Sequence, residues 1–207
     1  MEARSVTTAL VRHLPSDLGL SDARVRVFEA AVGLLGDRGF HGLSMRDLAG
    51  VVGVKGASLY EHVPSKQQLL FEVTRIGLTE HHRRLTFALL DAGRDPADQL
   101  RGLVRAHVLT SLEYPSLTRT CSRELRHLEE PLREQVLVLR ARSEQLFLDV
   151  VDRGCQLGEF TVASPRRAMR AIADMGIRTA EWPRPLGEDE EIAADYAAYA
   201  VRILSAD

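Results

Sequence analysis

The sequence predicts an all-α protein, and three observations carry that prediction. Apolar residues recur at three- and four-residue spacing along most of the 207 residues, the period of helices with one buried face. Alternating runs of the strand type are missing. Gly and Pro fall between the periodic stretches, where they separate elements instead of weakening them. A chain of this length buries roughly 70% of the surface its unfolded form exposes. With 45% hydrophobic and 27% charged residues it is too apolar for disorder.

The elements follow in order, about nine helices in all. Residues 1–20 read as an N-terminal extension that carries Arg4 and Arg12. Ser21 caps a helix from about Asp22 to Arg38, with Gly39 as its stop and Val27, Ala30, Ala31, Leu34 and Leu35 as its apolar stripe. Behind Ser44 a short helix spans Met45–Val52. Gly53-Val54 turns the chain, and a second short helix spans Gly56–His62. Pro64-Ser65 breaks the chain, and Ser65 caps a long helix reaching about Leu90. Asp95-Pro96 starts a helix that ends before Pro115, and Pro115 opens another through about His127. Pro131 sits in a first turn, where its missing N–H does no harm, and begins a helix to about Leu157. Ser164-Pro165 caps the next, which ends near Trp182 because Pro183 and Pro185 forbid continuation. The last helix runs from about Glu188 to Ser205, its early acids suiting the positive end of the helix dipole. The chain divides into the extension (1–20), a trihelical unit (21–65) and a helical body (66–207).

The most informative stretch is the pair of short helices around Gly53. Two short helices joined by a glycine turn have the geometry of a helix-turn-helix, whose second helix enters the DNA major groove. Leu48, Ala49, Val52, Val54 and Leu59 can pack the pair on the first helix. Gly56, Ala57 and Ser58 are small enough for close approach to base edges, and Ala57 offers a methyl to thymine. Arg46 and Lys55 supply donors for guanine or phosphate. Tyr60, His62 and Lys66 lie toward the DNA backbone, Lys66 in the first turn of a helix whose free N–H groups also favour phosphate. Residues 1–66 hold eight Lys and Arg against seven Asp and Glu, so any basic face is local.

Over about residues 22–70 the sequence resembles the N-terminal domain of TetR-family transcriptional regulators, through Leu59-Tyr60, His62-Val63 and Ser65-Lys66 after the turn. The resemblance implies that Tyr60, His62 and Lys66 hold phosphates, and that Arg46, Lys55, Gly56, Ala57 and Ser58 face bases, with Ser44 also in the DNA-binding set. It further implies a homodimer on a double-stranded, palindromic operator, released by a small hydrophobic effector. Lys55 and Gly56 depart from the commoner residues at the helix start, and Glu61 places an acid near DNA.

For the body, the resemblance implies a dimer interface and a ligand pocket. The last two helices suit the interface: Ala200 with the other alanines nearby permits close approach, and Ile192, Tyr196, Tyr199 and Ile203 supply bulk. Ala168 and Ile172 face them in a two-fold four-helix bundle. An ordinary intrachain core would use the same residues. The expected pocket lining is Phe87, His107, Ser111, Cys121, Phe147, Val151 and Met175. Over about residues 114–187 the chain is similar to the KstR-type and fatty-acid-responsive regulators, through Glu124–Leu128, Gly158-Glu159-Phe160 and Trp182–Gly187. That group senses acyl-coenzyme A thioesters from lipid or steroid catabolism. The similarity implies Arg178 for a phosphate and Trp182 for adenine stacking, their four-residue spacing setting both on one helical face. Pairing of Arg178 with Asp174 or Glu181, and Trp182 as a core wedge, stand as the plain alternative.

Other classes are weaker. Regulation of drug efflux by hydrophobic drugs is a second effector class on the same fold. A helical enzyme or metal sensor could use His81, His107 and His127, but no nucleophile elbow, phosphate loop, dinucleotide fingerprint or zinc-binding helix motif occurs, and no cofactor or metal is expected. Cys121 and Cys155 read as buried thiols of a reducing cytoplasm. No run approaches the ~20 apolar residues of a membrane span, and no leader pattern opens the chain, so a cytoplasmic protein without a membrane partner is expected.

Overall fold

The computed structural model describes residues 13–183 and 188–205; Arg4, Arg12, Arg184, Pro185, Leu186 and Gly187 lie outside the described residues. Among the described residues there are nine α-helices and no strand. The trihelical unit is α1 (Asp22–Gly42), α2 (Met45–Val52) and α3 (Gly56–His62). Ser21 holds the N-cap position of α1 without using its hydroxyl. Instead, the Glu29 carboxylate accepts the His13 and Leu14 N–H groups at 2.9 and 3.1 Å, folding the preceding segment back and burying Leu14. The end of the expected extension is therefore part of the core. Gly39 interrupts α1 where the sequence places its stop, at φ 67°, a conformation open to glycine. Gly53 closes α2 at φ 77°.

The body consists of α4 (Lys66–Asp91), α5 (Pro96–Glu113), α6 (Pro115–Arg119), α7 (Leu132–Gln156), α8 (Pro165–Arg178) and α9 (Asp189–Leu204). Three expectations need correction. The single helix expected from Pro115 to His127 is α6, then a π-helical turn at Thr120–Glu124 and a 3-10 turn at Leu125–His127. The widened turn seats Cys121 against α4 while Glu124 reaches α1. Likewise α8 ends at Arg178, tightens into a 3-10 turn at Thr179–Glu181, and leaves Trp182 extended. Pro131 precedes the helix it was expected to open, which begins at Leu132.

Two hydrophobic cores result. The first joins α1, α2 and α3 to the early part of α4 and to Tyr114, Leu117, Leu125, Leu128 and Val136, so it runs across Ser65 without a break. The second lies among α5, α7, α8 and α9 and takes in Leu85 near the end of α4. Their seam positions the internal site.

Candidate DNA interface and internal cavity

On the trihelical unit, Leu48 and Leu59 are fully buried and fix α2 and α3 on α1, which turns the remaining faces outward. Arg46, Lys55, Gly56, Ala57 and Tyr60 are exposed, Tyr60 at 51%; Ser58, His62 and Lys66 are half-buried. A Cβ at Gly56 would meet nothing within 4 Å, so the start of α3 is open to a close neighbour. Ser44 is engaged locally: it accepts the Asp47 N–H at 3.1 Å and donates to the Asp47 carboxylate at 2.7 Å. That hydrogen bond holds the Asp47 carboxyl below its usual range. Ser44 is thus the helix cap of α2, and it is exposed at the start of that helix. Lys66 Nζ stands 4.3 Å from the centre of the Phe40 ring.

At the seam of the two cores lies a cavity of about 100 Å³, walled mostly by apolar atoms. Leu78, Tyr114 and Leu117 come from the first core, Phe147 and Met169 from the second. Of the expected lining, His107, Ser111, Cys121 and Phe147 are on the wall. Phe87 is not: it is 55% exposed, under the Arg83 guanidinium. Val151, fully buried, and Met175 pack into the second core instead. The α8 residues on the wall are Met169, Ala173 and Ile177, one helical face of which Met175 is no part. Gly77, Thr110, Arg140 and Met169 were not anticipated. A signal existed for Gly77. A mid-helix glycine costs about 1 kcal/mol against alanine, and a Cβ here would meet Cys121 Sγ at 2.5 Å.

Polar groups on the wall are tied down. His81 Nε2 lies 2.8 Å from His107 Nδ1, and His107 Nε2 lies 2.9 Å from the Ala173 carbonyl. Gly176 makes room for this ring, since a Cβ there would meet its Cδ2 at 2.3 Å. Burial, then the charges of His107, His82, Arg140 and Arg84, hold His81 well below its ordinary value of 6.5. Burial lowers His107 too, against the Ala173 hydrogen bond. Burial also pushes the Cys121 thiol up to about 12, so it stays protonated. Beside the cavity, Glu80 takes Arg83 and Arg84, and Arg84 reaches Glu113 and the Tyr114 hydroxyl. Burial works to raise the Glu80 carboxyl, but its arginine hydrogen bonds outweigh it.

One continuous stretch links the cavity to the trihelical unit. Leu117, Thr118, Cys121 and Ser122 are on the wall. A few residues on, Glu124 Oε2 accepts the Phe40 N–H at 2.8 Å, and His127 stacks on Phe40 with centroids 5.5 Å apart. His127 is therefore far from a role with His81 and His107; among the described residues no three His, Cys, Asp or Glu are grouped to hold a metal ion.

The residues expected at an interface divide. Ile172 and Ala200 are buried within their own chain, Ala168, Ile192 and Tyr196 are half-buried, and Tyr199 and Ile203 are 46% and 44% exposed on the outer face of α9. Ile172 and Ala200 fill the second core, so that part of the expectation is corrected. Arg178 bonds Glu181 at 2.8 Å, a carboxylate that also takes Arg123 at 2.5 Å. Trp182, 47% exposed, lies 5.9 Å from the Tyr196 ring. Because α8 stops at Arg178, helical spacing no longer sets these two on one face, and neither lines the cavity.

Two family models match. Residues 27–73 match bacterial regulatory proteins of the tetR family, and residues 93–204 match the tetracyclin repressor-like C-terminal domain. The HTH-type transcriptional repressor KstR2 of Rhodococcus jostii is 26% identical over 82% of this chain and 83% of its own. A tetR-family regulatory protein from Rhodococcus RHA1 superposes with a TM-score of 0.84 at 24% identity, over 91% of this chain and all of its own. AibR in complex with isovaleryl coenzyme A and operator DNA has the same fold, TM-score 0.78 at 22% identity over 86% and 97%. With its C-terminal match alone covering more than half of its length, the chain belongs to the TetR family of bacterial transcriptional regulators.

Proposed function

We propose that this regulator represses transcription as a homodimer on a palindromic operator, and that an acyl-coenzyme A thioester entering the seam cavity releases it. The observation that carries the reading is the cavity's position between the two cores. Two elements run from its wall to the DNA-facing unit: α4, with Gly77, Leu78, Glu80 and His81 at the cavity and Lys66 at the other end, and the stretch from Leu117 to His127, which ends on Phe40. An acyl group wedged at the seam would shift both. A coupling of ~1–3 kcal/mol per site suffices for partial release, provided the ligand prefers the shifted state.

Arg46, Lys55, Gly56, Ala57 and Ser58 form the reading surface, with Tyr60, His62 and Lys66 beside them for the phosphates. Pairing supplies the two-fold arrangement that sets two reading helices about 34–36 Å apart. Its natural site is the outer face of α9, where Tyr199 and Ile203 are exposed beside Tyr196. The effector class is supported by the KstR2 relative and by the isovaleryl coenzyme A bound to AibR. Arg178 and Trp182, exposed at the end of α8, are the residues offered to the coenzyme A handle; Arg178 then exchanges Glu181 for a phosphate.

The test is fluorescence anisotropy on a duplex selected from genomic fragments, with isovaleryl coenzyme A as probe. Arg178→Met and Trp182→Leu are expected to bind the duplex normally and to lose the response. Normal release in both variants overturns the handle, and no release of the wild type by any short acyl thioester overturns the effector class.

A further inference from the structure

The cavity wall formed by α4, α5 and the π-helical turn has spent its hydrogens on the protein itself. The Ala173 carbonyl can only accept, so His107 Nε2 carries a proton toward it and His107 Nδ1 is left as an acceptor. The atom facing that acceptor, His81 Nε2, must then carry the other proton. His81 Nδ1 is thereby a bare lone pair. The hydroxyls behave alike: Thr110 donates to the Ala106 carbonyl at 2.7 Å and Ser111 to the His107 carbonyl at 3.1 Å. The Cys121 thiol is directed at the Thr74 carbonyl at 3.8 Å. All five residues line one cavity whose remaining wall is mostly apolar. The donors left on the lining are the Thr118 hydroxyl, Ser143 beside His82, and Arg140, which is 40% exposed and engaged with Glu144.

We propose that this wall selects an effector presenting a hydrogen-bond donor, a hydroxyl on a small aliphatic or acyl group, and rejects one presenting a carbonyl or carboxylate there. A hydroxyl hydrogen meets a nitrogen or oxygen lone pair and satisfies it. A carbonyl oxygen in the same place sets lone pair against lone pair in a site of low polarity, where an unmet polar group is costly. Burial favours the neutral state of both imidazoles, reinforced at His81 by His82, Arg140 and Arg84 and opposed at His107 by the Ala173 hydrogen bond and the Asp174 charge, and keeps the wall in this form near neutral pH. The inference rests on the cavity being the effector site, and not on the coenzyme A handle.

The test therefore begins without coenzyme A. Cyclohexanol and cyclohexanone have nearly the same shape, and a ring of that size suits a cavity comparable to the ~150 Å³ one that admits benzene. Titrations of the full-length protein followed by NMR are expected to show the alcohol binding about tenfold or more tightly than the ketone. In Ser111→Ala and His81→Phe that ratio is expected to shrink while ketone binding is kept, an outcome a merely structural defect would not produce. Equal or tighter binding of the ketone by the wild type overturns the proposal, and so does binding of neither probe. With short 3-hydroxyacyl and 3-oxoacyl thioesters the same order is expected in operator release. If the alcohol preference holds while no thioester acts, the acyl-coenzyme A reading fails and the donor-selective wall stands.

Discussion

Lys66 is the residue where packing and the proposed DNA contact meet. Its ammonium lies over Phe40, which the Glu124 and His127 contacts hold in place, so its position reports on the body as well as on the reading unit. Lys66→Ala is expected to weaken binding to every duplex alike and to flatten the salt dependence by about one unit, with Tyr60→Phe weakening binding without that change. Loss confined to one base position, in anisotropy titrations across operator variants, contradicts the phosphate assignment. The histidine pair has a second consequence. Folding keeps His81 and His107 neutral below their ordinary value of 6.5, so the unfolded chain takes up protons first as the pH falls. Their cost is absent above that value and grows below it. Urea midpoints should accordingly drop between about pH 7.5 and 5.5, and drop less in His81→Phe. A midpoint constant across that window contradicts the buried, neutral pair.

Among the elements, the junction of α4 with the π-helical turn carries the most specific constraint. A methyl on Gly77 would overlap Cys121 Sγ and crowd Leu117, whose nearest atom would be 3.0 Å away. Gly77→Ala is expected to destabilise by about 1–3 kcal/mol in denaturant unfolding. Cys121→Ala in the same chain should recover part of that loss, and full additivity of the two changes contradicts the contact. This junction also marks where the sequence stops being legible. The starts of α2, α4, α5 and α8 were readable because Ser44, Ser65, Asp95 and Ser164 accept the N–H three residues on. The breakdown of the helix after Arg119 has no such local cause. It is set by Gly77 on one side and Phe40 on the other, both remote in sequence. The cavity lining was half legible for the same reason. His107, Ser111 and Phe147 lie on helical faces that periodicity reveals, whereas the choice between Met169 and Met175 depends on how α8 is rotated against α5 and α7.

For the whole molecule, the two cores give the fold its logic. The first joins the reading helices to α4 and to the 114–128 stretch; the second builds the body, and the cavity occupies the boundary. In the mechanism we propose, a ligand there would change how the cores meet, and in a symmetric pair that would change how far apart the two reading surfaces stand. The sequence alone could not divide α9 between core and pairing face, because the period that marks a buried stripe cannot tell burial in one's own chain, as at Ala200, from burial by a second copy. The most direct measurement is sedimentation of the full chain with a duplex selected from genomic fragments at low ionic strength. Two chains per duplex, bound at one preferred palindromic sequence, is the predicted result. A single chain sedimenting alone, with every fragment bound equally or not at all, would contradict it.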